Sequence, residues 1–178
     1  MKAQGTPAAQ DKLRVAANQD MHKAHEATVK ELNAALATEL ICVLRYKSHA
    51  ARCEGILGSL VRDHFLEHAE QEQKHSEWIA ERISNLGGTP EYDPSKIIAL
   101  AHVKFETSDN VAEMVAQNLR AERTAIEKYR SLILTFGNQD APTRAVLEKI
   151  LVEEEEHAED MPELQNDPML EKLSIHHE

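Results

Sequence analysis

Two tetrads in this sequence, Glu72-Gln73-Lys74-His75 and Glu154-Glu155-Glu156-His157, each set a glutamate and a histidine three residues apart. On an α-helix that spacing puts both side chains on one face, about a turn apart, within reach of one metal ion. A four-helix bundle builds a two-metal site from two such tetrads when each of its other two helices adds one inward glutamate. Two candidates fit. Glu39 lies in Leu36-Ala37-Thr38-Glu39-Leu40-Ile41, and Glu122 lies in Leu119-Arg120-Ala121-Glu122 ahead of Ala125 and Ile126, so both acids have apolar neighbours. Each is followed seven residues later by a tyrosine, Tyr46 and Tyr129, close to two turns on and therefore on the same stripe.

The chemistry follows from the charges. Four carboxylates crowded into a helical core would repel one another and resist desolvation, and two divalent cations would cancel them. Hard oxygen ligands with one imidazole per metal suit Fe²⁺ or Mn²⁺ better than an all-oxygen calcium cage or a thiolate zinc site. The expected arrangement has Glu72 and Glu154 as bridges, Glu39 and Glu122 as terminal ligands, and His75 and His157 giving one nitrogen each. Tyr46 and Tyr129 read either as core tyrosines with satisfied hydroxyls or as groups that hydrogen-bond a ligand and supply electrons. A single Glu-x-x-His on an acidic helix is usually a solvated face, whereas two of them together with two apolar-flanked glutamates at matched height are not explained that way. Glu153, Glu155 and Glu156 read as surface acids or groups supporting a ligand. His64 and His68, within two turns of Glu72, read as groups that feed ions inward or, by preference, as a polar helix end; His49 reads the same way, and no role is expected of His176 and His177.

The elements that must position these residues are legible from period and punctuation. At 42% hydrophobic and 4% aromatic, with few Gly and Pro, the 178 residues use the vocabulary of long helices in one domain. A tail over residues 1–21 is expected to become helical towards Leu13. A first helix runs from about His22 to Ala51, its apolar stripe marked by Leu32, Leu36, Leu40, Val43 and Leu44. A second runs from about Ser59, with Leu60, Phe65, Ala69, Ile79 and Ile83, to Leu86 before Gly87-Gly88. A long connection holds a short helix over Ser95 to Phe105. A third helix, capped by Ser108 or Asp109, reaches Phe136, and a fourth starts after Asp140 and runs to about Gln165 with a kink at Pro162. Residues 166–178 form a short tail. The expected fold is therefore all-α, a ferritin-like four-helix bundle of two antiparallel hairpins joined by a long crossover. The halves repeat in spacing, since Glu39 to Glu72 is 33 positions and Glu122 to Glu154 is 32.

The formal charge of −11 favours attracting cations and argues against a nucleic-acid clamp. No apolar run approaches the roughly 20 residues of a membrane span and the N-terminus lacks a signal-type apolar stretch, so a cytoplasmic protein is expected. Cys42 and Cys53, about 16 Å apart along one helix, are expected as reduced thiols.

At this point the residues resemble a known family. Glu39, Tyr46, Glu72-x-x-His75, Glu122 and Glu154-x-x-His157 are similar to the ferroxidase pattern of bacterioferritins and their miniferritin relatives, over about Thr28 to Pro162. The resemblance implies a homo-oligomeric cage that oxidises Fe²⁺ with O₂ or H₂O₂ at a di-iron centre inside one bundle and stores the ferric product. Mn or Zn would be substitute metals. Where bacterioferritins carry a haem-binding methionine, this chain has Gln73, so haem is not expected. The short segment after the fourth helix, interrupted by Pro168, together with the short crossover helix, favours a dodecamer over a 24-mer. Other readings are a ferritin-like di-metal peroxidase or manganese catalase, and a DNA-protecting starvation protein acting through Lys2, Lys12 and Arg14.

Overall fold

The computed structural model describes residues 7–137 and 139–165, so the predicted C-terminal tail with His176 and His177 lies outside the described residues. Five helices follow in order: α1 (Pro7–Arg52), α2 (Gly55–Asn85), α3 (Pro94–Leu100), α4 (Val111–Phe136) and α5 (Ala141–Gln165), with no strand among the described residues. α1 packs chiefly on α2 and α4 on α5, while α1–α4 and α2–α5 contacts close the bundle and α3 lies along α1. This is the four-helix bundle with a long crossover that the spacing predicts. No helix among the described residues is long and apolar enough to cross a membrane.

Several boundaries differ from expectation for local reasons. α1 starts at Pro7, so much of the expected tail is helix; Pro at a first position and a run rich in Ala, Gln, Lys and Leu favour that. α2 starts at Gly55 rather than Ser59, directly after the end of α1. A Cβ at Gly58 would stand 2.8 Å from the Cys53 carbonyl carbon, so the tight reversal needs a residue without one. Gly87 takes φ +77 after the end of α2, the left-handed conformation that glycine adopts without penalty.

The crossover helix is shorter than predicted. Asp93 caps it by accepting from Ser95 N, Pro94 opens it, and it stops at Leu100 because Ala101 turns extended. The chain beyond is pinned instead to α1, where His102 N donates to Thr38 Oγ1 at 3.0 Å. The cap of α4 is Asn110, accepting from Glu113 N at 3.0 Å, not Ser108 or Asp109; Ser108 accepts from Asn110 N. Asp140 holds the start of α5, accepting from Thr143 N at 3.1 Å while Arg82 of α2 donates to it at 2.9 Å. Pro162 lies inside α5.

Inside the bundle two apolar plugs lie on either side of a polar level, and a third cluster, with Ile41 and Cys42 of α1 and Ala121 of α4, packs against Ile97 and Val103 of the crossover. One plug gathers Leu32 and Leu36 of α1, Ile79 and Ile83 of α2, Tyr129, Leu132 and Phe136 of α4, and Leu147 and Ile150 of α5. The other gathers Tyr46, Ala50 and Cys53, then Val61, Phe65 and Ala69, then Met114 and Val115, and finally Met161. Along α1 the first plug precedes Glu39 and the second follows it, and along antiparallel α2 the order is reversed around Glu72 and His75. Leu44 departs from the predicted stripe and is 55% exposed. Both cysteines are free and buried.

Candidate metal centre

Between the two plugs each long helix turns its polar residues inward at one level. Glu39 comes from α1, Glu72 and His75 from α2, Glu122 from α4, and Glu154 and His157 from α5, all buried to 2% exposure or less. Full burial of four carboxylates is costly unless each is neutralised or bonded, so the contacts around them decide what the site can do.

The six side chains form two overlapping groups. Glu39, Glu72, His75 and Glu154 each bring a donor atom within 4.8 Å of the others, and so do Glu72, Glu122, Glu154 and His157. Glu72 and Glu154 belong to both groups, which is the arrangement two bridging carboxylates would have. His75 Nδ1 lies 3.1 Å from Glu154, 3.3 Å from Glu39 and 3.5 Å from Glu72. His157 Nδ1 lies 3.5 Å from Glu72 and 3.9 Å from Glu122.

The outer ring nitrogens face other partners. His75 Nε2 meets Glu153 at 3.1 Å and His157 Nε2 meets Gln71 Oε1 at 2.9 Å. An Nε2–H donated outward would leave the Nδ1 lone pair for a cation held among the carboxylates, which is how a ligating histidine is usually oriented. The tyrosines flank the outer carboxylates: the Tyr46 hydroxyl donates to Glu122 Oε1 at 2.5 Å and the Tyr129 hydroxyl donates to Glu39 Oε1. Glu39 and Glu122 are thereby oriented from opposite plugs.

Several inward atoms have no hydrogen-bond partner among the described residues: both oxygens of Glu72, Oε2 of Glu122, Oε2 of Glu154 and Nδ1 of His157. Buried acceptors left bare in one small volume are what cations satisfy, so the donor set fits a pair of hard divalent ions.

The electrostatics agree. Burial, then the charge of Glu72, pushes Glu39 up to about 8. Burial also drives Glu154 well above the carboxylate range, with repulsion from Glu72, Glu39 and Glu122 adding to it. For Glu72 burial acts in the same direction, but the approach of His157, His75 and Glu39 outweighs it and holds the group well below its ordinary value. Glu122 is lowered too, as contacts with His157 and Glu154 overcome burial and the Glu72 charge. Burial would lower both histidines, yet the carboxylates win: His75 is raised by Glu154, Glu39 and Glu72, and His157 reaches about 10 beside Glu122 and Glu72. Without cations, protons neutralise this cluster.

Some neighbours were not foreseen. His68, expected as a polar helix end, is 2% exposed and stacks on His157 with ring centroids 4.3 Å apart. Its Nδ1 is 3.2 Å from the Tyr46 hydroxyl and its Nε2 is 3.4 Å from Asp160. A histidine one turn before Glu72 was the available signal; its cross-helix partners were not. Gln71 had no signal, because its role depends on how α2 is rotated against α5. His64 is exposed, and His49 is buried against Phe65, away from the six-residue cluster.

The Ferritin-like domain model matches residues 29–169. A nutrient stress-induced DNA-binding protein of a Nostoc species is 33% identical over 131 residues, covering 71% of each chain. A bacterioferritin of Mycobacterium avium is 26% identical over 127 residues, 71% of this chain and 76% of its own. A solved dodecameric thioferritin, the bacterioferritin-related protein from Bacteroides fragilis, superposes with TM-score 0.78 at 34% identity over 84% of this chain and 90% of its own. A ferritin-like diiron-carboxylate protein from Bacillus anthracis superposes with TM-score 0.70 at 26% identity over 80% of this chain and 97% of its own.

Proposed function

This chain belongs to the ferritin-like domain family, and from that premise we propose that it is a ferroxidase that stores or detoxifies iron. The observation that carries the reading is the pair of overlapping buried donor groups sharing Glu72 and Glu154, with carboxylate oxygens left bare inside them. Glu39 and His75 would hold one Fe²⁺, Glu122 and His157 the other, and Glu72 and Glu154 would bridge. Two Fe²⁺ together supply two electrons, enough to take O₂ and two protons to H₂O₂, or H₂O₂ and two protons to two waters.

The chain's own groups have defined tasks in this reading. Glu39 and Glu154 release their protons to become ligands, as buried acids in this family of sites must. Tyr129 and Tyr46 fix the terminal carboxylates by donating to Glu39 and Glu122. Glu153 and Gln71 hold the imidazoles with Nδ1 inward. The two apolar plugs exclude bulk water on either side. A dodecameric cage would enclose the ferric product, a state supported by the dodecameric bacterioferritin-related neighbour.

Anaerobic titration of metal-free protein with Fe²⁺, followed by admission of O₂ or H₂O₂ while ferric absorbance is recorded, tests this. Binding saturates near two Fe²⁺ per chain and rapid oxidation follows, blocked by Zn²⁺. Absence of stoichiometric binding would remove the reading. Peroxide consumed without iron, by protein purified with manganese, would favour a di-metal peroxidase or catalase. Two relatives are named as DNA-binding proteins, but a chain charge of −11 opposes that activity here.

A further inference from the structure

Arg45 is fully buried and lies outside the six-residue cluster, yet next to it. Its Nε donates to Asn118 Oδ1 at 2.9 Å, Nη2 to Cys42 Sγ at 3.4 Å and Nη1 to the Lys104 carbonyl at 3.5 Å. All three partners are neutral. Burial pushes the Cys42 thiol up, so it stays protonated. Among the described residues no carboxylate lies within ion-pair distance of the guanidinium, although a buried cation ordinarily acquires one. Glu122 and Glu72 of the metal centre are close enough for their charges to act on the guanidinium, whose carbon sits 5.8 Å from the centre of the Tyr46 ring, with the Tyr46 hydroxyl 2.5 Å from Glu122. Asn118 stands one turn before Glu122 on α4.

The charges can then be counted for the interior as a whole. Four ionised glutamates and two divalent ions cancel, with both histidines neutral as ligands. Arg45 is left over as a fixed positive charge in a medium of low dielectric, where its field is weakly screened. We propose that Arg45 is a positioning residue of the metal centre, whose uncompensated charge lowers cation affinity in proportion to the cation's own charge and so disfavours retention of the oxidised ion. The site then works as a point of transit, filling with Fe²⁺ and yielding Fe³⁺, instead of keeping a resident pair. This rests on the ferroxidase reading above.

A purely structural Arg45, pinning the crossover through the Lys104 carbonyl, would affect stability and leave affinity alone. The test therefore reads affinity by calorimetry on the metal-free full chain, with Co²⁺ as divalent probe and Ga³⁺ as a redox-silent trivalent probe. Arg45→Gln should bind Co²⁺ about tenfold more tightly, and Ga³⁺ about thirtyfold, because the effect scales with ion charge. Both gains should persist at high ionic strength, as expected of a buried source. Arg45→Lys keeps the charge and should stay within about threefold of the parent.

If Arg45→Gln does not form the bundle, Asn118→Asp supplies the missing counter-charge beside the guanidinium and should tighten both ions in the same order. Unchanged affinities in whichever of the two variants folds would overturn the inference, as would an equal gain in Arg45→Lys. Failure of the parent protein itself to bind two Co²⁺ per chain would instead strike the ferroxidase reading. Two Co²⁺ bound by the parent with no response to the variants strikes only the role of Arg45.

Discussion

Glu122 meets opposing demands: it is fully buried, it accepts from Tyr46, and its second oxygen is bare. Glu122→Ala should therefore slow iron oxidation by about a hundredfold or more, since even groups that only support a ligand cost 10–100-fold. The metal-free variant should melt lower than the parent near neutral pH, because Glu122 is held ionised by His157 and Glu154 and its loss leaves the Tyr46 hydroxyl without its carboxylate acceptor and His157 without one of its partners. Stopped-flow absorbance and a thermal scan check the two halves, and an unchanged rate would sink the assignment. Tyr129→Phe removes only the donor to Glu39 and should weaken metal binding by roughly tenfold while leaving the fold intact; calorimetry that shows equal affinity would make Tyr129 a packing residue. At this scale the convergence of six side chains was legible because a three-residue spacing fixes a helix face. Gln71 and Arg45 were not legible as partners, and Glu153 only as one of three acids open to supporting a ligand, since each depends on the rotation of one helix against another. Leu44 shows the same limit within one helix: it continues an apolar stripe in sequence but stands one position off the buried face.

The helices must hold their heights if the four glutamates are to meet, and the α4–α5 turn is where that height is set. Asp140 accepts from Thr143 N and Thr143 Oγ1, and Arg82 of α2 reaches both Asp140 and Thr143 Oγ1. One carboxylate thus caps α5 and ties it to α2. Asp140→Ala should cost about 2 kcal/mol, a lost cap plus an ion pair whose two side chains are largely buried. It should lower the melting temperature by a few degrees without changing the number of Co²⁺ bound, because Glu154 lies several turns further along α5. An unchanged melting temperature would show that another group caps α5 in solution. Helix order and the long crossover were readable because glycines and prolines punctuate the chain. The ends of α3 and α4 were less so: Ser108, Asp109 and Asn110 offer the same capping chemistry, and Asp109 is taken up by Arg52 of α1 while Ser108 accepts from Asn110 N. Likewise α3 stops where Thr38 captures the chain at His102, an interaction between residues 64 positions apart.

For the whole molecule, the metal centre couples folding to both pH and cations. In the metal-free chain His157 rises from 6.5 to about 10 and His75 rises too, so their carboxylate contacts stabilise the fold fully below pH 6.5 and are lost as pH climbs towards 10. Glu39, raised from 4.5 to about 8, acts in the same direction, because ionising it in the fold is harder than in the unfolded chain. Glu72 and Glu122, both lowered, do the opposite: their contribution is present above pH 4.5 and disappears in stronger acid. Metal-free protein should therefore be most stable between roughly pH 4.5 and 6.5 and melt progressively lower from there to pH 10. Cations replace those protons, so Co²⁺ binding should release protons at pH 7, tighten as pH rises, and flatten the decline in melting temperature. Thermal scans across that range, with and without Co²⁺, measure this directly. A metal-free melting temperature that stays level from pH 6.5 to 10 would mean that the carboxylates and imidazoles do not share protons, and the case for cations as the missing partners would lose its electrostatic half. A decline that Co²⁺ abolishes would tie the stability of the bundle to the ions it is proposed to process.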